Sequence, residues 1–256
     1  MIQVDIAAMA TAVLLLAVTA GRANEHPLSE KRRAELNEKF DKTIVRLTTA
    51  IQSAPDEERL YSGRGDAYFF RARFKEAVAD YDKVVELNPR RETSHWQRGI
   101  AWFYAGQYKR AAYQFEIYTT FDNVDRENGI WRFFSQAKAH GLEKARQGLL
   151  KYKKDDREPF PSVYQLFAET ITPREILAQI RKATIDDNER EKRLFYAQLY
   201  IGLNDDIHGK RKRAVEHLRQ AVANQWGPKA GYGPNYMWHV GRLHYELLMA
   251  KEQGKK

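Results

Sequence analysis

The chain has 256 residues, of which 30% are charged, and a formal net charge of +9. This length suffices for one elongated domain with a continuous core, and the basic balance favours attraction to anionic polymers and head groups. The chain contains no cysteine, which excludes a lipid anchor on a cysteine.

The N-terminus has the pattern of an export signal over 1–23. Ile6–Ala20 is an apolar stretch of 15 residues, which is short for a membrane span. The stretch ends in small residues, so we expect cleavage after Ala23, with cleavage after Ala20 as the alternative. The segment before it holds Asp5 and no Lys or Arg, and an uncleaved anchor or a misplaced start codon therefore stays open.

A 34-residue period begins after 24–57, a segment for which we predict an N-terminal capping helix and a partial repeat. The period predicts three repeats over 58–159, of which the third is degenerate, with Phe133 in place of a glycine and Leu149 and Tyr152 in its second helix. Small residues lie where two helices cross closely, aromatic residues fill the space beside the crossing, and a proline ends a helix. The residues that form this framework are Gly65, Tyr68, Ala77, Tyr81, Pro89, Gly99, Trp102, Ala111, Phe115 and Ala145.

This pattern resembles the tetratricopeptide repeat, a helix–turn–helix unit of about 34 residues. Leu60–Tyr68 corresponds to its first helix and Phe74–Pro89 to its second. The resemblance implies an all-α fold, a tetratricopeptide-repeat helical solenoid with a non-repeat helical spacer and a C-terminal capping helix. Such repeats stack into a superhelix whose inner surface binds other chains, so the expected partners are proteins or peptides.

The repeat array is interrupted by the two prolines of Glu158–Pro161, and a helical spacer is predicted over 160–190. Thr172–Glu175 has the residues of a capping box, with Pro in the first helical turn. A fourth repeat and a closing helix that covers the open end of the stack are predicted over 191–249, followed by a tail over 250–256.

The order of these parts is similar to that of NlpI-type proteins of the bacterial cell envelope, which carry tandem repeats, a helical spacer, a late repeat and a closing helix. The matching stretches are Ile171–Leu177, Phe195–Leu203 and Ala221–Asn224. The resemblance implies a periplasmic or secreted adaptor that links envelope hydrolases to a protease. Those proteins are lipidated on a cysteine, which this chain lacks.

We expect no enzyme activity, no cofactor and no metal site. The seven histidines show no metal-ligand spacing; His239 and His244 are five residues apart and fall on different faces of one helix. The acidic pairs, including Asp155-Asp156, fall in turns between predicted helices, where Asp is commonly a turn or cap residue. No constellation of acid, base and nucleophile is present in the sequence.

An aromatic groove is the candidate partner-binding site. In the second repeat, apolar residues at steps of four, three and one form a stripe that faces the inner surface of the stack. The residues assigned to the groove are Phe69, Phe70, Trp96, Ile100, Phe103, Tyr104 and Trp131. The alternative is that these side chains pack against the spacer or a neighbouring repeat, since a helix that is apolar all round is usually buried.

A basic run in a long turn, Asn204–Arg213, is the candidate contact for an acidic partner or polyanion; it consists of Lys210, Arg211, Lys212 and Arg213. A solvated helix start is the alternative. The second candidate function is a cytoplasmic repeat protein that binds RNA or another polyanion, although nucleic acid is not the expected partner. Homo-oligomers through open repeat ends are a third option, and we expect membrane association only through an uncleaved N-terminal segment.

Overall fold

The structure is a computed structural model that describes residues 26–253, in which the chain is all-α and has no β-strand. No helix of this part of the chain is long and apolar enough to cross a membrane. The predicted export segment, 1–23, and the last residues of the predicted tail lie outside the described residues.

Twelve α-helices follow one another in residues 26–253, with short 3-10 turns at Pro89–Arg91, Tyr118–Thr120 and Gly227–Lys229. In chain order they are α1 Glu30–Ser53, α2 Glu58–Phe70, α3 Phe74–Leu87, α4 Trp96–Tyr104, α5 Tyr108–Ile117, α6 Arg126–His140, α7 Leu142–Gln147, α8 Phe160–Phe167, α9 Pro173–Lys182, α10 Asp187–Ile207, α11 Arg211–Ala223 and α12 Tyr232–Gln253.

The first helix, α1, lies where the capping helix is predicted. Its N-terminus is capped by Ser29, whose side chain accepts a hydrogen bond from the backbone N–H of Arg32. It buries one apolar face, which consists of Leu36, Phe40, Ile44 and Leu47 at steps of four and three. Because this face packs on α2, α1 closes the N-terminal end of the helix stack.

Three helix pairs, α2–α3, α4–α5 and α10–α11, share a close crossing between a glycine and a large side chain 16 positions later. The contacts are Gly65 with Tyr81, Gly99 with Phe115, and Gly202 with Leu218. A Cβ added at Gly65 would lie 2.7 Å from the ring of Tyr81, and one at Gly99 would lie 2.6 Å from the ring of Phe115. Only glycine lets the two backbones of each pair come this close.

In α2–α3, α4–α5 and α6–α7, an offset of 16 residues also joins a largely buried arginine of the first helix to the second helix or the residue that ends it. The bonds are Arg64 to the Asp80 carboxylate, Arg98 to the Gln114 side chain, and Arg132 to the Gly148 backbone oxygen. The arginines are themselves 34 residues apart. A buried charge-assisted hydrogen bond thus recurs in the same place along the stack.

The third pair, α6–α7, departs from the predicted pattern. Its second helix ends at Gln147, so the prediction that Leu149 and Tyr152 belong to that helix is wrong. Gly148 ends the helix, and Tyr152 instead folds over Gly129 of α6, where its hydroxyl donates to the backbone oxygen of Asp125. The spacer helix α8 follows, and its Phe167 packs against Phe133, the residue that replaces the expected glycine.

Among the later helices, α9 begins as expected, whereas α10 begins at Asp187, within the predicted spacer 160–190, and ends later than expected. The capping box at Thr172 and Glu175 is confirmed, with both reciprocal hydrogen bonds present. The long turn predicted at Asn204–Arg213 is wrong, because α10 continues to Ile207 and the turn is only three residues long. Asn204 and Asp205 are buried within α10, which explains why these turn-type residues remain helical.

The closing helix, α12, is longer than the sequence predicts. It starts at Tyr232, after a turn at Gly231 with φ of 88°, and Pro234 lies in its first turn. It continues to Gln253, so that 250–253, predicted as tail, are helical, since Ala, Lys, Glu and Gln favour helix and the next residue is Gly254. It does not only cover the open end of the stack: it packs on α11 and runs along α2.

Candidate ligand-binding pocket

The residues assigned to the aromatic groove are packed and do not form an open surface. Phe69, Phe70, Ile100, Phe103 and Trp131 are buried, whereas Trp96 and Tyr104 are partly buried. The expectation of an open groove is therefore corrected in favour of the packed alternative. The groove aromatics pack against the neighbouring helix pair, with ring centroids of Phe69 and Tyr104, and of Phe103 and Trp131, 5.5 Å apart, and α12 covers much of the rest.

The side chains of α12 interleave with the groove aromatics. The ring of Tyr236 stacks on Phe69 at 5.2 Å between centroids and meets Trp96 edge-on at 4.8 Å. The His239 imidazole lies 4.3 Å from the Phe70 ring. Aromatic pairs in these geometries each stabilise by about 0.5–1.5 kcal/mol beyond the burial of their area. The helix is thus held along the inner face of the first two helix pairs.

Polar contacts hold the first turn of α12 at the mouth of the groove. The Asp66 carboxylate accepts hydrogen bonds of 2.7 Å from the hydroxyls of both Tyr81 and Tyr232. Gln97 in turn donates to the Tyr232 hydroxyl at 3.0 Å. Burial raises the pKa of Asp66 to about 6, although the two hydroxyls act to lower it. The network joins α2, α3 and α4 to α12.

Further along α12, the polar side chains of Arg242 and His244 find partners in the rest of the stack. Arg242 is buried, donates to the backbone oxygen of Phe70 at 2.7 Å and pairs with Glu246 at 2.9 Å. His244 lies between the Tyr104 hydroxyl at 3.0 Å and the Asp206 carboxylate at 3.1 Å. These contacts add to the aromatic stacking and the Asp66 bonds that hold α12 in place.

One part of the inner face stays open as a pocket where α4, α6, α10 and the start of α12 meet. Its volume is about 330 Å³. Five aromatic side chains form its walls: Trp96, Tyr118, Trp131, Tyr196 and Trp226. Three of the predicted groove residues, Trp96, Ile100 and Trp131, line it, whereas Phe69, Phe70, Phe103 and Tyr104 do not. A concave, mostly apolar site with a few polar groups is the usual form of a ligand pocket.

One wall of the pocket is charged. Arg157 pairs with the Glu127 carboxylate at 2.6 Å, with Asp156 at 3.2 Å and with Asp125 at 3.5 Å. The hydroxyl of Tyr200 donates to the second oxygen of Glu127. The cluster combines residues from the start of α6, the loop before α8 and the middle of α10. One guanidinium, that of Arg157, thus faces three carboxylates, two of which come from the start of α6.

Burial shifts the pKa values of the charged side chains in this wall. It raises the pKa of Glu127 to about 7, against the lowering effect of Arg157 and the Tyr200 hydroxyl. Burial also raises the pKa of Asp125. For Arg157, burial disfavours the charged form, but the three neighbouring carboxylates raise its pKa nonetheless. Arg157 therefore stays charged, while Glu127 changes its charge near neutral pH.

Sequence reasoning missed most of this pocket because its residues come from five separate segments. Arg157 and Glu127 are 30 residues apart in sequence, and Tyr196 and Trp226 come from the last third of the chain. Asp156, of the pair predicted as turn or cap residues, accepts a hydrogen bond from the backbone N–H of Arg126 at the start of α6 and also pairs with Arg157.

The basic run is divided by the fold. Arg213 pairs with the buried Asp205 carboxylate at 3.2 Å, and Arg211 donates to the backbone oxygen of Leu248. Lys210 and Lys212 are exposed. The run lies at the opposite end of α10 from the pocket residue Lys192, and α10 is about 30 Å long by its 21 residues. The basic run and the pocket are therefore separate surfaces.

No group of three or more His, Asp or Glu side chains that could hold a metal ion occurs among residues 26–253. No protein-family model matches the chain, and no curated protein matches it.

Proposed function

We propose that this chain is a non-catalytic binding protein built on tetratricopeptide repeats, which holds a segment of a partner protein in the pocket between α4, α6, α10 and α12. The observation that carries this proposal is the pocket itself, with five aromatic walls around about 330 Å³. Large aromatic side chains in a concave site are the usual anchors of protein–protein interfaces.

The class of repeat is supported by features that recur along the stack. The 34-residue period places a glycine against an aromatic ring in α2–α3 and again in α4–α5. The same period places an arginine in each of the first three pairs. Repeat proteins of this kind bind partners on the concave surface. In this chain α12 covers much of that surface, so the partner contacts the pocket and its rim.

The setting that we propose is the bacterial cell envelope, with a role as adaptor or scaffold that connects envelope hydrolases to a protease. The support is the order of repeats, spacer, late repeat and closing helix, which is similar to that of NlpI-type proteins, together with the export pattern of 1–23. N-terminal sequencing of the mature chain tests the setting. A first residue near Asn24 supports it, and an intact Met1 on protein from the cytoplasm contradicts it.

The pocket is tested by site-specific photo-crosslinking in the native cell. A photoreactive phenylalanine replaces Trp226 in the pocket in one variant, and Tyr113, which is exposed and does not line the pocket, in the matched control. We expect a discrete crosslinked partner from position 226 and none from position 113. Equal crosslinking from both positions, or none from position 226 in a correctly folded variant, contradicts the proposal.

The energetic counterpart is an alanine substitution. Trp226→Ala should weaken binding of the crosslinked partner more than tenfold, since truncation of a buried aromatic anchor costs about 2 kcal/mol or more. The control is Tyr113→Ala, because Tyr113 is exposed and does not line the pocket. Titration calorimetry measures the affinity, and circular dichroism checks that both variants fold.

The second candidate, binding of RNA or another polyanion, is favoured by the net charge of +9. Its support at the basic run is reduced, because Arg213 and Arg211 are engaged with Asp205 and Leu248. A gel-shift titration with a 20-nucleotide single-stranded RNA tests it. Binding that weakens steeply between 50 and 200 mM salt supports this candidate, as about six phosphate contacts to a single strand would produce a loss of roughly 300-fold.

A further inference from the structure

We infer that the pocket takes a cationic side chain, lysine or arginine, of the partner segment. The inference rests on the proposed function, because it names the side chain that the proposed pocket selects. Three properties of the pocket carry it: an excess of acidic groups, aromatic walls, and a guanidinium already held by the same cluster.

The pocket lies in an acidic part of a basic protein. Two ion-pair clusters lie at the pocket. The first joins Arg157 to the carboxylates of Asp125, Glu127 and Asp156, and the second joins Lys192 and Arg193 to those of Glu189 and Glu158. With all five carboxylates ionised, the first cluster holds two uncompensated negative charges and the second holds none, whereas the whole chain carries +9. A positive charge from outside would reduce this excess.

The two cations at the pocket are already committed to carboxylates. Arg157 pairs with three carboxylates, the nearest at 2.6 Å, and the Lys192 ammonium pairs with Glu189 at 2.5 Å. An anionic ligand would have to compete with these pairs and would add to the acidic excess. An apolar ligand would leave the excess as it is and would desolvate Asp125 and Glu127 further, which is costly in an apolar pocket.

The aromatic walls suit a cation with an apolar stem. Lys and Arg bury their methylene chains along apolar surface and keep the charged head near polar groups. A cation over the face of Trp or Tyr is attracted by the negative face of the ring. The walls offer the rings of Trp96, Trp131, Trp226 and Tyr196 beside the carboxylates of Asp125 and Glu127.

The cluster already holds one cation in this manner. The Arg157 guanidinium lies 4.3 Å from the ring of Phe160 and 5.8 Å from that of Tyr196, while it pairs with the carboxylates. A lysine or arginine of the partner, entering from the pocket side, would likewise contact ring faces and pair with carboxylates, as Arg157 does.

The test uses the full chain, labelled with ¹⁵N on its tryptophan indoles. Three of the five tryptophans, Trp96, Trp131 and Trp226, line the pocket, and Trp102 and Trp238 do not, so the spectrum contains its own control. The probes are the N-acetyl methylamides of lysine, arginine, norleucine and glutamate, titrated at pH 8. We expect lysine and arginine to shift the three pocket signals saturably, and norleucine to bind at least tenfold more weakly.

Two variants separate charge from shape. Glu127→Gln and Asp125→Asn keep the size of the side chains, and Asn is as good a helix cap as Asp for the start of α6. We expect each to weaken lysine binding about tenfold and to leave norleucine binding unchanged. Glu86→Gln, an exposed glutamate on α3, is the matched control and should change neither.

The outcomes distinguish this inference from the proposed function. Norleucine or glutamate binding as tightly as lysine overturns the inference, but leaves the pocket as a side-chain site. Shifts at Trp102 and Trp238 equal to those at the pocket tryptophans overturn it as well. If no probe moves any of the three pocket signals of a folded chain, the pocket is not a side-chain site and the proposed function is contradicted too.

Discussion

Tyr232, in the first turn of α12, donates a hydrogen bond of 2.7 Å to the carboxylate of Asp66 on α2, although 166 residues separate them. The bond ties the last helix to the first full helix pair. A second hydroxyl, that of Tyr81, donates to the other oxygen of the same carboxylate, also at 2.7 Å. Asp66 therefore connects α2 and α3 with α12. We expect the protonation of Asp66 to change the free energy of unfolding of the chain.

Asp66→Asn should flatten the pH dependence of stability. The folded-state pKa of about 6 is above the ordinary value of 3.8, so the folded chain keeps a proton there that the unfolded chain loses. The stability from this group is present below about pH 4 and is lost as the pH rises through 6. Urea unfolding from pH 4 to pH 7 measures the profile, with Asp56→Asn as the exposed control. Parallel profiles of the wild type and Asp66→Asn would contradict the prediction.

Gly65→Ala should destabilise the fold by about 1–2 kcal/mol, even though alanine is the better helix former. The new Cβ would lie 2.7 Å from the ring of Tyr81, which is fully buried and held by Asp66. Gly233→Ala is the matched control, because nothing lies within 4 Å of a Cβ at that position. Thermal unfolding of both variants is the measurement, and equal melting temperatures would refute the close crossing.

Arg242→Ala should cost about 3 kcal/mol of stability, because it removes one partner of a buried ion pair. Glu246 would lose its pair at 2.9 Å, and the backbone oxygen of Phe70 would lose its donor. The control is Arg32→Ala, which removes an exposed pair with Glu35 and should cost about 1 kcal/mol or less. Denaturant unfolding compares the two, and an equal, small loss in both would show that Arg242 does not hold α12.

Arg213→Gln should destabilise the chain by about 1 kcal/mol, whereas Lys212→Gln should not. Arg213 is the nearest cation to the Asp205 carboxylate, which is 1% exposed, and the neutral Gln cannot replace its charge. Lys212 is exposed one position earlier on the same helix turn. Urea unfolding measures both variants. An equal loss of unfolding free energy in the two variants would mean that the basic run affects stability only through its net charge and not through the Arg213–Asp205 pair.

Binding of N-acetyl-lysine methylamide should weaken by up to about tenfold when the pH falls from 8 to 6. The pKa of Glu127 is about 7, so the carboxylate that faces the ligand gains a proton in this interval. The other charged or titratable side chains that line the pocket are those of Tyr118, Asp125, Arg157, Lys192 and Tyr196, and Asp156 pairs with Arg157 behind them. Indole titrations at both pH values measure the effect, and Glu127→Gln should remove it. An unchanged pH dependence in that variant would assign the effect to another group.

The helix crossings could be predicted from the sequence because they are local. Gly65 meets Tyr81 and Gly99 meets Phe115 within one helix pair, and a fixed spacing along two helices brings them together whatever the rest of the chain does. The same logic would have found Gly202 opposite Leu218. The spacing does not predict the position of Tyr152, because Gly148 ends α7 early and the residues that follow fold back so that Tyr152 lies over Gly129.

The sequence by itself determined that the chain is all-α, that glycines lie at helix crossings, and that aromatic residues line the inner face of the stack. Only the tertiary structure decided what covers that face. The contacts of α12 with Asp66, Phe70 and Tyr104 span 166, 172 and 140 residues, and the pocket wall joins Arg157 to Glu127 across 30. Such contacts depend on the accumulated curvature of the stacked helix pairs. Small rotations at each crossing decide where the last helix falls, and no local spacing encodes their sum.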